Sequence, residues 1–117
     1  VARQIVLAQL TVDLNAVIYM MFQQQIVDGD LVVVETNVRR MIIPGQDPEV
    51  HFDDLDSYFA MKGYPPIQQH DKDMIHGLIA MARSHPTLVA NGKKYAAEQA
   101  ALRSTAEPEP EAEATLN

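Results

Sequence analysis

Cysteine is absent from the 117 residues. That excludes a disulfide framework, a thiolate nucleophile and any thiolate-ligated zinc, iron–sulfur or haem site. Glycine is scarce: five residues stand singly at Gly29, Gly45, Gly63, Gly77 and Gly92, so no Gly-rich phosphate cradle exists. Basic residues never run beyond two, at Arg39-Arg40 and Lys93-Lys94. Nonspecific nucleic-acid binding draws on several phosphate contacts, so nucleic acid is not an expected partner. The longest uncharged run, Leu14 to Val27, has 14 residues and includes three glutamines. A membrane helix needs about 20 apolar residues, and none is expected here. No basic segment followed by an apolar core and a small-residue cleavage site is visible, which argues against secretion. Together with the missing cysteines, this makes a cytoplasmic protein the expectation.

Charge is present but lopsided. The net charge is -7, and residues 104–117, STAEPEPEAEATLN, hold four Glu and no basic residue. Without them the chain has 9 basic and 12 acidic residues. Such an acidic, Pro-interrupted stretch buries too little to offset the entropy of ordering. The expected organisation is a single domain over 1–103 followed by a disordered acidic tail over 104–117.

The N-terminal 27 residues are the opposite case. Eighteen are apolar or Tyr, and Asp13 is the only charge between Arg3 and Asp28. At 100° per residue, Val6, Leu7, Leu10, Leu14, Val17 and Met21 fall within one third of a helix circumference. The opposite side carries Ala8, Val12, Ala16, Tyr19 and Met20, so it is apolar too. This pattern predicts a long N-terminal helix, central in a core or clamped against a partner. The six stripe residues are the expected interface.

Further along, Asp28-Gly29-Asp30 signals a turn. Leu31–Val34 and Val38–Ile43 read as two strands of a small antiparallel hairpin, with Glu35–Asn37 turning between them. Residues 46–52 read as loop or edge strand. Asp53–Lys62 reads as a short helix whose acidic first turn suits the helix dipole. Asp71–Ser84 is the cleanest helix, with Met74, Ile75, Leu78, Ile79 and Ala82 on one face. Gly77 interrupts it at a cost near 1 kcal/mol, which close helix packing would explain. Thr87–Ala90 reads as a short strand, Asn91-Gly92 as a turn, and Lys93–Arg103 as an Ala-rich helix. The expected fold is α+β: a long N-terminal helix, a small antiparallel hairpin or sheet, then two to three helices packed on it.

Three constellations bear on chemistry. Asp47, Glu49, His51, Asp53, Asp54 and Asp56 crowd into ten residues. Hard cations want converging carboxylates, but the glycine turn and closing Glu of a calcium loop are missing. Among the histidines, His51, His70, His76 and His85, His76 stands three residues from Asp73 on the expected helix, but two groups do not make a site, and HExxH is absent. Arg39 and Arg40, adjacent on a strand, point to opposite faces and cannot share one ligand.

The expected function is therefore a non-catalytic protein–protein interaction or assembly subunit. It would be a homo-oligomer or would bind a protein partner through the N-terminal helix, without a cofactor. Six methionines suit irregular apolar surfaces, and the hairpin's open edges offer a second pairing surface. The alternative is a small divalent-metal-dependent or acid–base enzyme using the 47–56 segment. A nucleic-acid module built on Arg39, Arg40, Arg83, Lys93 and Lys94 is the third class.

Overall fold

A computed structural model describes residues 1–106, with side chains through residue 104. It is α+β, and the sheet comes first. Strands β1 (Ala2–Val12), β2 (Ile18–Asp28) and β3 (Leu31–Ile42) are followed by helices α1 (Pro48–Met61), α2 (Gln69–Arg83) and α3 (Pro86–Ala106). The sheet is an antiparallel meander in the order β1-β2-β3.

The expected N-terminal helix is overturned. Its residues form β1, a turn and β2, paired from Ala2 opposite Val27 to Val12 opposite Ile18. Two periods coexisted in this stretch, and the turn decides between them. Asp13 ends the first strand: its Oδ1 accepts the Asn15 N–H at 2.9 Å and the Val17 N–H at 3.0 Å. Ala16 takes a left-handed backbone, φ 61°. Such a carboxylate-closed turn is local side-chain-to-backbone chemistry that competes directly with helix. Both faces of the stretch are apolar because one face of the resulting sheet forms the core, while the other is left without a covering layer.

Alternation sorts the side chains. Ile5 from β1, Ile18, Met20 and Phe22 from β2, and Ile42 from β3 are buried against Phe52, Leu55 and Phe59 of α1 and Ile75 and Ile79 of α2. Phe22 meets Phe59 edge-on, with ring centres 6.1 Å apart. The expected hairpin over 31–43 is also corrected. That stretch is one strand, pairing with β2 from Asp28 opposite Leu31 to Ile18 opposite Ile42. Glu35–Asn37 does not turn. Glu35 is instead an extra residue in the ladder, a bulge between Val34 and Thr36.

The helices begin earlier or run longer than the sequence suggests. Asp47 caps α1 by accepting the Glu49 N–H, and Pro48 stands in its first turn. Residues 87–92 are neither strand nor turn. They belong to α3, which at Gly92 comes close to the turn end of the sheet: a Cβ there would lie 3.1 Å from the Pro44 ring and 3.2 Å from Ala16 Cβ. Gly77 has nothing near its missing Cβ, so close packing does not account for it. Of the expected tail, residues 104–106 belong to α3, and 107–117 lie outside the described residues.

Candidate functional site: an uncovered sheet end with one open edge

A three-stranded meander has two edges, and this one treats them differently. The outer edge of β1 is closed by α2 and the residue before it. Gln68 Nε2 donates to the Ile5 carbonyl at 2.8 Å, and Asp71 Oδ2 accepts the Leu7 N–H at 3.2 Å. Ile5 and Leu7 are two apart, so their free backbone groups point the same way, outward from the sheet. Asp71 is buried at 5% exposure, with His70 against its other oxygen at 3.2 Å. An extra residue, Ala8, bulges β1 just beyond. A buried carboxylate and a carboxamide thus occupy the places another strand would use.

Among the described residues, no such cover reaches the backbone of β3. Its bonds beyond the ladder are made by side chains, Arg40 with Asp54 and Glu35 with Tyr64, and the backbone is met only past its end, where Ile43 and Gln46 bond each other. Seven consecutive residues, Leu31 to Asn37, are exposed. The first four are aliphatic, at 62%, 50%, 49% and 44% exposure for Leu31, Val32, Val33 and Val34. Neighbouring strand residues face opposite ways, so exposure of all four means that neither face of this sheet end is covered. β-Branched residues set the strand here, and burial does not follow, because the helical layer stops short of the hairpin tip.

A polar cluster marks where the covered part ends. Tyr64, between α1 and α2, is buried and donates its hydroxyl to Glu35. The Arg3 guanidinium lies over its ring, 5.7 Å from the centre. Burial raises the Tyr64 hydroxyl above the ordinary pKa of 10.0, and its bond to Glu35 adds to the rise. Gln24, buried nearby on β2, has an Oε1 without a hydrogen-bond partner. On the helix-free face, Gln4 donates to Gln25 at 2.7 Å and Gln25 to Gln23 at 2.8 Å. These amides tie the three positions across β1 and β2 and keep that face partly polar.

The expected interface stripe is dispersed. Leu7 and Leu10 pack on the core from β1, and Val17 is fully buried. Val6 sits opposite Gln23, and Met21 opposite Gln9 and Arg39, on the helix-free face. Leu14 is 74% exposed in the turn between β1 and β2. The surface that sequence reasoning undervalued is Leu31–Val34. Its signal was present as an unbroken aliphatic run, which reads equally well as a buried strand.

The acidic segment is separated by helix geometry. Asp47 caps α1, Glu49 meets His76 at 2.7 Å, Asp54 meets Arg40 at 2.6 Å, and Asp56 holds Lys72 at 3.2 Å and the Ile67 N–H at 2.8 Å. His51 contacts Gln46 at 2.9 Å, and burial together with Arg40 lowers its pKa below 6.5. Among the described residues, no three His, Asp or Glu gather as a metal would require. The basic residues do not gather either: Arg39 is on the sheet, while Arg83 and Lys93 flank a cleft. That cleft, about 180 Å³, lies between the turn end of the sheet, α2 and α3, and is lined by Ile18, Ile42, Ile79 and Leu88. No described helix is long and apolar enough to cross a membrane.

Comparison with known proteins adds no relative: no family model, curated protein or solved structure matches the chain.

Proposed function

We propose that this protein is an interaction or assembly subunit whose contact surface is the uncovered end of the sheet and its open β3 edge. The observation that carries the reading is the run of four exposed aliphatic residues, Leu31–Val34, on an edge strand with unpaired backbone groups. Exposed apolar edge strands are templates for pairing, and proteins ordinarily blunt them with charge, bulges or cover. Among the described residues β1 has cover, whereas Leu31–Val34 of β3 has neither cover nor charge, and the bulge and charges begin only at Glu35. Of the residues expected at an interface, Val6 and Leu14 remain available to a contact surface, whereas Leu7 and Leu10 pack on the core and Val17 and Met21 are buried. The reading includes no cofactor and takes the protein as cytoplasmic, with which a chain free of thiols is compatible.

The test compares the wild-type chain with Val32→Lys/Val34→Lys at two concentrations, by light-scattering mass and by binding of an apolar fluorescent dye. Both changes lie at exposed positions, so helical content and melting temperature should hold. The wild type is expected to assemble or bind dye, and the variant to do neither. A wild type that stays at 13.0 kDa without binding dye overturns the reading. So does assembly that the two lysines leave unchanged.

A further inference from the structure

The contact surface leaves open what it contacts. Resting on that reading, we infer that the β3 edge pairs with the β3 edge of a second copy, antiparallel and about a two-fold axis, and that assembly closes at the dimer. The asymmetry of the two edges carries this. Head-to-tail pairing of β3 on β1 of another copy would generate an open filament. It requires β1 to offer its outward backbone groups, and Gln68 and Asp71 already bind those of Ile5 and Leu7. Pairing of β1 with β1 meets the same obstruction. Among the described strands, β3 with β3 remains, and it uses the open edge of each copy. The product is a six-stranded sheet with a closed edge at either end.

Charge selects the register within β3. An axis at Arg39 or Arg40 would set arginines opposite their own copies, which is unfavourable. The bulge at Glu35 also divides the edge into Leu31–Val34 and Thr36–Ile42. An axis at Val33 avoids the arginine pairs and keeps the central pairs, Val32 to Val34, on one side of the bulge. It places Val32 opposite Val34 of the second copy, on the same face. Leu31 then lies opposite the bulged Glu35, where regular pairing ends, so no carboxylate meets a carboxylate. Each copy carries a net charge of -7. The dimer therefore forms against long-range repulsion and should tighten as salt is added, the reverse of an interface built on ion pairs.

The absence of cysteine makes a direct test available. Single-cysteine variants Leu31→Cys, Asn37→Cys and Gln4→Cys of the full chain are spin-labelled, and distances between copies are measured alongside the mass. Each residue step from the axis moves both labels, adding about 7 Å to the separation. Label separation is expected to be shortest at residue 31, about 7 Å longer at residue 37, because the bulge leaves Asn37 opposite Gln23, three ladder steps from the axis, and not short at residue 4. Mass should plateau at two copies and the dimer fraction should rise with salt. A dimer with short distances at residue 4, or with residue 37 closer than residue 31, overturns the edge pairing while leaving an interaction protein. A filament series overturns closure. A monomer that still binds the apolar dye overturns self-pairing alone, and one that binds none removes both readings.

Discussion

The Asp71 carboxylate accepts the Leu7 backbone N–H across 64 positions of sequence, at 3.2 Å, and so closes one edge of the sheet. Together with Gln68, it converts a two-edged meander into a one-edged one. Replacing both side chains by Ala leaves an N–H and a carbonyl of β1 without partners in a partly buried place. A loss of about 1–3 kcal/mol is expected from the orphaned groups, measured as a lower urea midpoint at unchanged slope. The same variant should now form species larger than a dimer by light scattering. If it stays dimeric, the two side chains do not guard the edge.

The two helical glycines predict opposite signs. Gly77 faces open space inside α2, so Gly77→Ala should stabilise by about 1 kcal/mol through helix propensity. Gly92 has the same propensity to gain. Its new Cβ, however, would press on the Pro44 ring, Ala16 and the Asn15 carbonyl at 3.1–3.2 Å. A proline ring and a tight turn have little room to give, so Gly92→Ala should destabilise by about 1 kcal/mol. Thermal melts of the pair decide it, and a stabilising Gly92→Ala would show that the contact with the sheet is loose.

The Asp13 turn should be costly to lose. Its carboxylate accepts the Asn15 and Val17 N–H groups and the Tyr19 hydroxyl, the last at 3.1 Å. Asp13→Ala is expected to lower stability by about 2 kcal/mol, read from denaturant midpoints. Helical content should be retained, because the turn joins strands.

His51 gives the fold a pH dependence of defined sign. Burial, then Arg40, lowers its pKa in the folded chain below the unfolded 6.5. Below that value the unfolded chain takes up a proton that the folded chain resists, so stability falls as pH drops through about 6.5 and levels off below the folded value. His51→Gln should flatten this part of a midpoint-against-pH curve. An unchanged slope in the variant assigns it to another group.

How much of this was legible in the sequence depends on the element. The helix over 71–84 was readable because its apolar spacing, its polar flank and Pro86 all agree; α2 spans Gln69–Arg83. Residues 31–34 read correctly as strand because β-branched side chains fit little else. The first 27 residues misled because a stretch apolar on every side carries both a helical and a strand period. Only the partner strand and the Asp13 turn separate them. Thr87–Gly92 misled for a related reason: its turn residues lie inside α3, where Asn91 donates to the Leu14 carbonyl 77 positions away.

By itself, the sequence determined the α+β class, the acidity and the want of cysteine chemistry, since these follow from composition and local preference. The tertiary structure alone decided which faces are core and which edge is open. Those depend on Gln68 and Asp71 reaching Ile5 and Leu7 more than sixty residues away, and on a helical layer that ends before Leu31–Val34. Hydrogen bonds between distant positions leave no periodicity along the chain, so only folding makes them visible.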